Sequence, residues 1–392
     1  MSYAKSDRAA QRRFRALRLS FLVFFLVLST ALGILHQHST ALRPVGVDAL
    51  DPFGGIESAI TLAVTGQMLQ RIAWSSFILL FATIATALVF RRVFCGKVCA
   101  LGALQELFGR LGRRIFRRRL EVPRAVDRPA RYLKYATLAG IVAVSAITGT
   151  LWIRPYDPWA AYHHLFSEEL ISGFLVGLIL LIVTVVGSVL YDRFFCKYLC
   201  PMGAFLGLIN RVGWYRVRRN DESCIHCYAC DRACPVNIPV ESMDQVQSSE
   251  CINCNLCVSR CPVQNTLFLA GPGGRGARKA SPFLALGVTL GIFAAVLGAT
   301  TAVGGFEWTI RPLGQAVLET GAFNPDEIKG SDTFRAVAEI TGIPEQAFLE
   351  RFGISRQQFD GPIRDATHAA GSTFDTEAVR EFVREQLAER RR

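Results

Sequence analysis

The sequence predicts an α-helical multi-pass membrane protein with a small α+β module inserted before its last span and a small all-α domain at its C-terminal end. Three observations predict it. Five apolar stretches are long enough to cross a bilayer, all twelve cysteines fall in short spaced motifs, and residues 304–392 turn acidic and cysteine-free. Of 392 residues, 51% are hydrophobic and 27 are Phe, although the net charge is +12.

At 1.5 Å per helical residue, about 20 apolar residues cross the hydrocarbon core. The five stretches run approximately 19–35, 72–90, 133–151, 170–190 and 283–303. The first is the shortest. Its basic leader (Lys5, Arg8, Arg12, Arg13, Arg15, Arg18) has the charge of a signal peptide, and Arg12-Arg13-Phe14 faintly resembles a twin-arginine signal. Four further spans follow without a convincing A-x-A site, so the stretch reads as a retained anchor.

Lysine and arginine placement predicts orientation. The 36–71 loop carries only Arg43 and Arg71, and the 152–169 loop only Arg154. The 91–132 loop carries twelve basic residues, including Arg113, Arg114 and Arg117-Arg118-Arg119. Arg216, Arg218 and Arg219 follow the fourth span, and Arg275, Arg278 and Lys279 precede the fifth. A bacterial inner-membrane location is expected, with the N-terminus and inserted module cytoplasmic and the C-terminal domain extracytoplasmic. The basic excess is thereby a topology signal, and no nucleic-acid partner is expected.

Eight cysteines form two copies of one motif. Cys224-x2-Cys227-x2-Cys230-x3-Cys234-Pro235 is followed, with sixteen residues between Cys234 and Cys251, by Cys251-x2-Cys254-x2-Cys257-x3-Cys261-Pro262. This is the pattern of a two-cluster bacterial ferredoxin module, in which each run's last cysteine serves the other cluster. Two [4Fe-4S] clusters are expected: one on Cys224, Cys227, Cys230 and Cys261, the other on Cys251, Cys254, Cys257 and Cys234. Structural zinc usually takes two separated C-x2-C halves. Disulfides need an oxidising compartment, which a cytoplasmic module does not have. His226, between ligands, either hydrogen-bonds a sulfur or sits exposed.

The remaining cysteines lie in an internal repeat. Arg92-Val93-Phe94-Cys95-Gly96-Lys97-Val98-Cys99-Ala100 matches Arg193-Phe194-Phe195-Cys196-Lys197-Tyr198-Leu199-Cys200-Pro201 at an offset of 101, which continues to Gly112 and Gly213. Each copy follows a span, so the second and fourth spans are equivalent and the two C-x3-C pairs should face one another on the pseudo-symmetry axis. On a continuous helix, i,i+4 Cβ atoms lie about 5–6 Å apart, too far for a disulfide. Pro201 suits the first position of a new helix, whose N-terminus would lower the Cys200 pKa. Cys95, Cys99, Cys196 and Cys200 therefore read either as one metal or redox site, holding a third iron–sulfur cluster or copper, or as reduced, packed thiols.

Two C-x3-C repeats after membrane spans, followed by a double ferredoxin motif, resemble the membrane polyferredoxin family. That family includes the membrane ferredoxin subunit of periplasmic nitrate reductase systems, the nitrous-oxide reductase electron-donor and maturation protein, and the membrane protein for copper reduction in cytochrome oxidase assembly. The resemblance covers about residues 70–270. It implies membrane-bound electron transfer, often between the quinol pool and an exported redox partner. Ala100 stands where the family pattern has proline, and no flavin-binding domain precedes the first span.

His36, His38, His163 and His164 fall in the predicted outer loops, where imidazoles bind a quinone headgroup, haem or copper, or are simply solvated. No C-x-x-C-H and no strand-borne G-x-G-x-x-G occurs, so covalent haem and a nicotinamide site are unsupported. Residues 304–392 hold 15 acidic against 11 basic residues and three short amphipathic patterns. Thr333 opens a helix stopping at Gly342, Pro344–Phe352 another stopping at Gly353, and Asp375 caps a third over Thr376–Leu387. His368 reads as a surface residue, and the domain as a partner-docking element.

The domain plan is thus 1–70 leader, first span and outer loop; 71–219 membrane core with both repeats; 220–270 ferredoxin module; 271–303 linker and fifth span; 304–392 C-terminal domain. Three functions fit: an electron-transfer component relaying between a cytoplasmic or quinol donor and a membrane or extracytoplasmic partner, a copper reductase or metalloenzyme assembly factor, and an iron–sulfur redox sensor.

Overall fold

A computed structural model describes residues 6–38, 44–46, 51–66, 74–116, 122–148, 151–167, 169–273, 278–309, 323, 325, 328, 330, 332–367 and 374–389. His368, Arg117, Arg118, Arg119 and Arg275 lie outside the described residues, as does the His38 side chain. The chain divides into two units, 1–309 and 310–392.

Five long helices make the membrane part of the first unit: α1 (Arg8–His38), α3 (Trp74–Phe90), α7 (Leu133–Thr148), α9 (Glu169–Leu190) and α13 (Pro282–Ala302). Helices α1, α9 and α13 contain apolar stretches of 18 residues or more, whereas α3 and α7 are 17 and 16 residues long in their described parts. Contacts at the helix ends fix the relative direction of three of them. Phe14 near the start of α1 stacks edge-on against Phe283 at the start of α13, with centroids 5.4 Å apart. At the other end, Ser75 at the start of α3 exchanges hydrogen bonds with the Glu307 backbone just beyond α13. The protein is a multi-pass membrane protein.

Between the long helices run shorter ones. After α3 come α4 (Val93–Lys97) and α5 (Ala100–Phe116); after α9 come α10 (Phe194–Tyr198) and α11 (Pro201–Ile209). This is the offset-101 repeat in three dimensions, and the copies pack reciprocally. Gly112 of α5 lies so close to Val189 O of α9 that a Cβ would overlap it. Its mate Gly213 lies against Ala87 O of α3, with a Cβ 3.0 Å away. The interfacial helix of each copy thus seats on the span of the other.

Helix α6 (Arg124–Ala130) precedes α7, and α8 (Pro158–His163) precedes α9. Helix α2 (Pro52–Thr65) was not legible as an element, because Gly54 and Gly55 weaken its propensity. Asp51 caps it, Pro52 starts it, and it buries Phe53 and Ile56 against α3 and α7. Gly55 permits this, since a Cβ there would meet Ser76 O of α3 at 2.8 Å.

The inserted module is a three-stranded antiparallel sheet, β1 (Arg216–Arg219), β2 (Leu267–Ala270) and β3 (Lys279–Ala280), beside the cysteine loops and the short helix α12 (Ala229–Ala233). Val217 pairs with Leu269 in register, both buried. The second unit is small and helical, with α14 (Phe334–Thr341), α15 (Glu345–Phe352), α16 (Arg356–Asp360), α17 (Ile363–Thr367) and α18 (Thr376–Glu389) around Phe334, Phe348, Phe359 and Phe382. The caps foreseen at Thr333, Gly342, Gly353 and Asp375 are in place. The two single-turn helices α16 and α17 were too short to show a period.

Candidate metal centre

None of the twelve cysteines is in a disulfide. In both ferredoxin motifs the residues on either side of the second cysteine are left-handed: His226 (φ 50°) and Tyr228 (φ 54°), then Asn253 (φ 45°) and Asn255 (φ 58°). Such angles are uncommon outside glycine and wind each loop into a tight coil. His226 therefore serves the loop through its backbone. Its imidazole pairs with Glu241 at 2.6 Å and contacts no sulfur in that bond.

Cys224, Cys227, Cys230 and Cys261 line one pocket, with Cys261 beside Cys224 and Cys227. In the second set, Cys257 neighbours Cys254, Cys234 and Cys251. The structure thus brings each loop's three cysteines to the last cysteine of the other run. Burial pushes the Cys230 and Cys234 thiols up to about 12 and raises Cys251, Cys257 and Cys261. Among the described residues, no three His, Cys, Asp or Glu side chains gather as a single metal ion would need. Thiolates at 2.3 Å from zinc would converge on one point. The donor set, three thiols of one loop with the last thiol of the other run, is the one a cluster takes.

The four cysteines of the repeats also come together. Cys99 neighbours Cys95 and Cys196, and Cys200 neighbours all three others. The continuous helix assumed from the i,i+4 spacing is absent. Cys95 ends on α4 and Cys99 stands before α5; Cys196 lies on α10 and Cys200 caps α11. The missing proline at Ala100 does not break the symmetry. Gly102 N–H donates to Cys99 Sγ at 3.4 Å, and Gly203 N–H to Cys200 Sγ at 3.3 Å. The expectation that a helix N-terminus lowers the Cys200 pKa is overturned. Burial and the neighbouring sulfurs hold it well above the ordinary thiol value, outweighing the Gly203 hydrogen bond.

Buried arginines from each copy flank these thiols. Arg92 and Arg193, at 1% and 0% exposure, occupy equivalent positions. Arg92 lies beside Cys95 and reaches Ser249 O at 2.9 Å; Arg193 donates to Cys95 O at 2.6 Å and Glu106 Oε2 at 3.0 Å. Among the described residues, the Nε atoms of both lack an acceptor. Two orphaned buried donors beside four thiols fit a group that brings acceptor atoms.

The repeats touch the second ferredoxin set from two sides. A Cβ on Gly96 would lie 2.3 Å from Ile252 O and 3.2 Å from Cys254 N. Lys197 Nζ donates to Asn237 Oδ1 at 2.6 Å and neighbours Cys234. Lys97, buried beside Cys254, likewise leaves its Nζ without an acceptor among the described residues. The basic leader has a second task that a topology reading missed. Gln11 donates to Cys261 O at 2.8 Å, Arg15 to Ser259 O, and fully buried Arg18 to Gly96 O at 2.9 Å.

Family models match at the same places. A 4Fe-4S binding domain matches residues 72–119 and again 174–220, and a 4Fe-4S dicluster domain matches 216–262. Over 263 residues the chain is 33% identical to YccM of Escherichia coli, covering 65% of this chain and 73% of that one. The chain belongs to the membrane-associated ferredoxin-type electron-transfer proteins. The ferredoxin-type protein NapH of Escherichia coli is 30% identical, covering 52% of this chain and 66% of its own length. The methylamine utilization ferredoxin-type protein MauN of Methylobacillus flagellatus is 28% identical, covering 58% and 78%. No solved structure matches. As a member of this family, the chain is a membrane-embedded iron–sulfur protein of electron transfer carrying two [4Fe-4S] clusters.

The histidines of the opposite end partly converge. His36, His163 and His164 line a pocket with Gly33, Gln37, Arg154 and Ala160. His164 stacks on Phe174 with centroids 4.1 Å apart, and Gln37 reaches His164 Nδ1 at 3.1 Å. Along α1, His36 lies eighteen residues beyond Arg18, about 27 Å at 1.5 Å per residue.

Proposed function

We propose that the protein relays electrons between its ferredoxin module and the membrane through a third iron–sulfur centre on Cys95, Cys99, Cys196 and Cys200. Cys224, Cys227, Cys230 and Cys261 hold the first [4Fe-4S] cluster; Cys251, Cys254, Cys257 and Cys234 hold the second. The observation that carries this reading is the contact of both repeats with the second set, Gly96 on Cys254 and Lys197 beside Cys234. Charge supports it as well. Four thiolates against Arg92 and Arg193 leave two negative charges, which a core of charge +2 balances, while Glu106 and Glu250 are offset by Arg18 and Lys134. Two [4Fe-4S] clusters hold eight irons, so a third centre raises the count to about ten or twelve. The excess should vanish in a Cys95→Ser/Cys196→Ser variant that keeps the other eight. An iron count of eight, with no other metal, would end this reading.

A copper reductase or assembly role is the second reading, favoured by the same soft thiolates. Stoichiometric copper in place of the extra iron after reconstitution would select it. In either case the arginine distribution supports a cytoplasmic ferredoxin module and an extracytoplasmic C-terminal unit. The cavity at His36, His163 and His164 is the place we assign to a quinol headgroup. The convergence of three imidazoles on one pocket supports that assignment.

A further inference from the structure

The offset of 101 pairs Gln105 with Leu206, and here the two halves of the four-cysteine site stop matching. Both side chains are buried, at 1% and 0% exposure. The Gln105 amide forks onto a single residue of the other copy. Its Oε1 accepts from Cys196 N–H at 3.3 Å and its Nε2 donates to Cys196 Sγ at 3.1 Å. The backbone N–H can only donate, so Oε1 must face it and the donor Nε2 must face the sulfur. A weaker contact from Nε2 to Leu101 O, 3.4 Å away on the same helix, holds the amide in that pose. Leu206 carries no donor.

We infer that Gln105 is a positioning residue that sets the reduction potential of the four-cysteine centre through Cys196. This rests on the reading that those cysteines bind an iron–sulfur group. Reduction adds one electron, supplied by the neighbouring [4Fe-4S] cluster, and part of the added charge falls on the ligand sulfurs. A hydrogen bond to sulfur strengthens as that charge grows, so it favours the reduced state without moving a proton. Burial sharpens the effect, because no water competes for the sulfur at this position. Among the described residues of α5 and α11, this is the one polar-for-apolar exchange between equivalent buried positions that ends on a cysteine of the site.

The test is an anaerobic redox titration of the full chain in detergent, followed by electron paramagnetic resonance, with iron counted in every sample. Gln105→Leu, which copies the other half, should lower the midpoint of the third centre so that its reduced-to-oxidised ratio falls about tenfold at fixed potential, ~59 mV for one electron. Both ferredoxin clusters should stay where they are. Leu206→Gln, which adds the missing donor, should move the third centre the other way. An unmoved third centre in either loaded variant overturns the inference, and so does an equal shift of all three centres. If Gln105→Leu fails to load iron, Leu206→Gln decides by the same criterion. A wild-type chain with eight irons and two paramagnetic centres would instead overturn the underlying reading.

Discussion

Arg193 fills the space in front of Gly102: a Cβ there would lie 2.8 Å from the Arg193 Nη1. The relationship is repeated with the copies exchanged, since a Cβ on Gly203 would lie 2.8 Å from Arg92 Nη2. Each half of the four-cysteine site leaves a glycine so that the arginine of the other half can enter. Gly102→Ala should push Arg193 off Cys95 O and Glu106, and lower metal retention by the repeats while the ferredoxin module keeps its eight irons. Iron and sulfide counts after gel filtration read this directly.

The seating of α5 on α9 leaves no room at Gly112. Gly112→Ala should destabilise the detergent-solubilised protein by about 1–3 kcal/mol or more, because the obstruction is the Val189 backbone rather than a flexible side chain. Gly140→Ala is the control: nothing lies within 4 Å of a Cβ there, so that change should be neutral or slightly stabilising. Thermal unfolding of the two variants compares them. Equal melting temperatures would contradict the packing argument.

The crossed sets make opposite forecasts for neighbouring cysteines. Cys234→Ser should perturb the cluster on Cys251, Cys254 and Cys257 and leave the signal of the Cys224 set intact. Paramagnetic resonance on the reduced protein separates the two. Loss of the Cys224-set signal alone would reject the crossing.

Glu106 is shared by Arg18, Arg110 and Arg193, at 2.7, 2.9 and 3.0 Å. The Arg18 and Arg193 guanidiniums overcome the cost of burial and hold its carboxyl well below the usual range. A depressed pKa contributes stability above the unfolded carboxyl value of about 4.3, and that contribution is lost as pH falls below it. At neutral pH it is fully present. Glu106→Gln should therefore cost about 3–5 kcal/mol, the cost of uncompensated buried charge. It should also release the leader, which limited proteolysis near Arg15 would detect.

Orientation is tested by fusion. A reporter placed after Gly271 should read as cytoplasmic and one placed after Arg392 as exported. The same reading from both would remove either the fifth span or the orientation.

The spans, the ferredoxin loops and the paired C-x3-C motifs were legible because each is a local pattern: apolar length, ligand spacing, a constant offset. The helix break at Cys99 was hidden because Ala100 gives no signal where Pro201 does. The buried tasks of Arg18, Arg92 and Arg193 were hidden for another reason. A basic residue near a span has a ready explanation as a topology signal, and the partner that buries it, such as Glu106, lies far away in sequence. Gln105 could have been found by asking where the repeat pairs a polar residue with an apolar one.

Helix α1 carries Arg18 at the cysteine end and His36 at the histidine cavity on one unbroken run of turns. The two ends are therefore locked in rotational phase as well as in distance. One residue inserted between them would turn His36 by about 100° away from its cavity and advance it only about 1.5 Å. Four would nearly restore the facing but lengthen the helix by about 6 Å. The spacing of this helix must therefore suit bilayer thickness and angular register together, which leaves its length little freedom to vary.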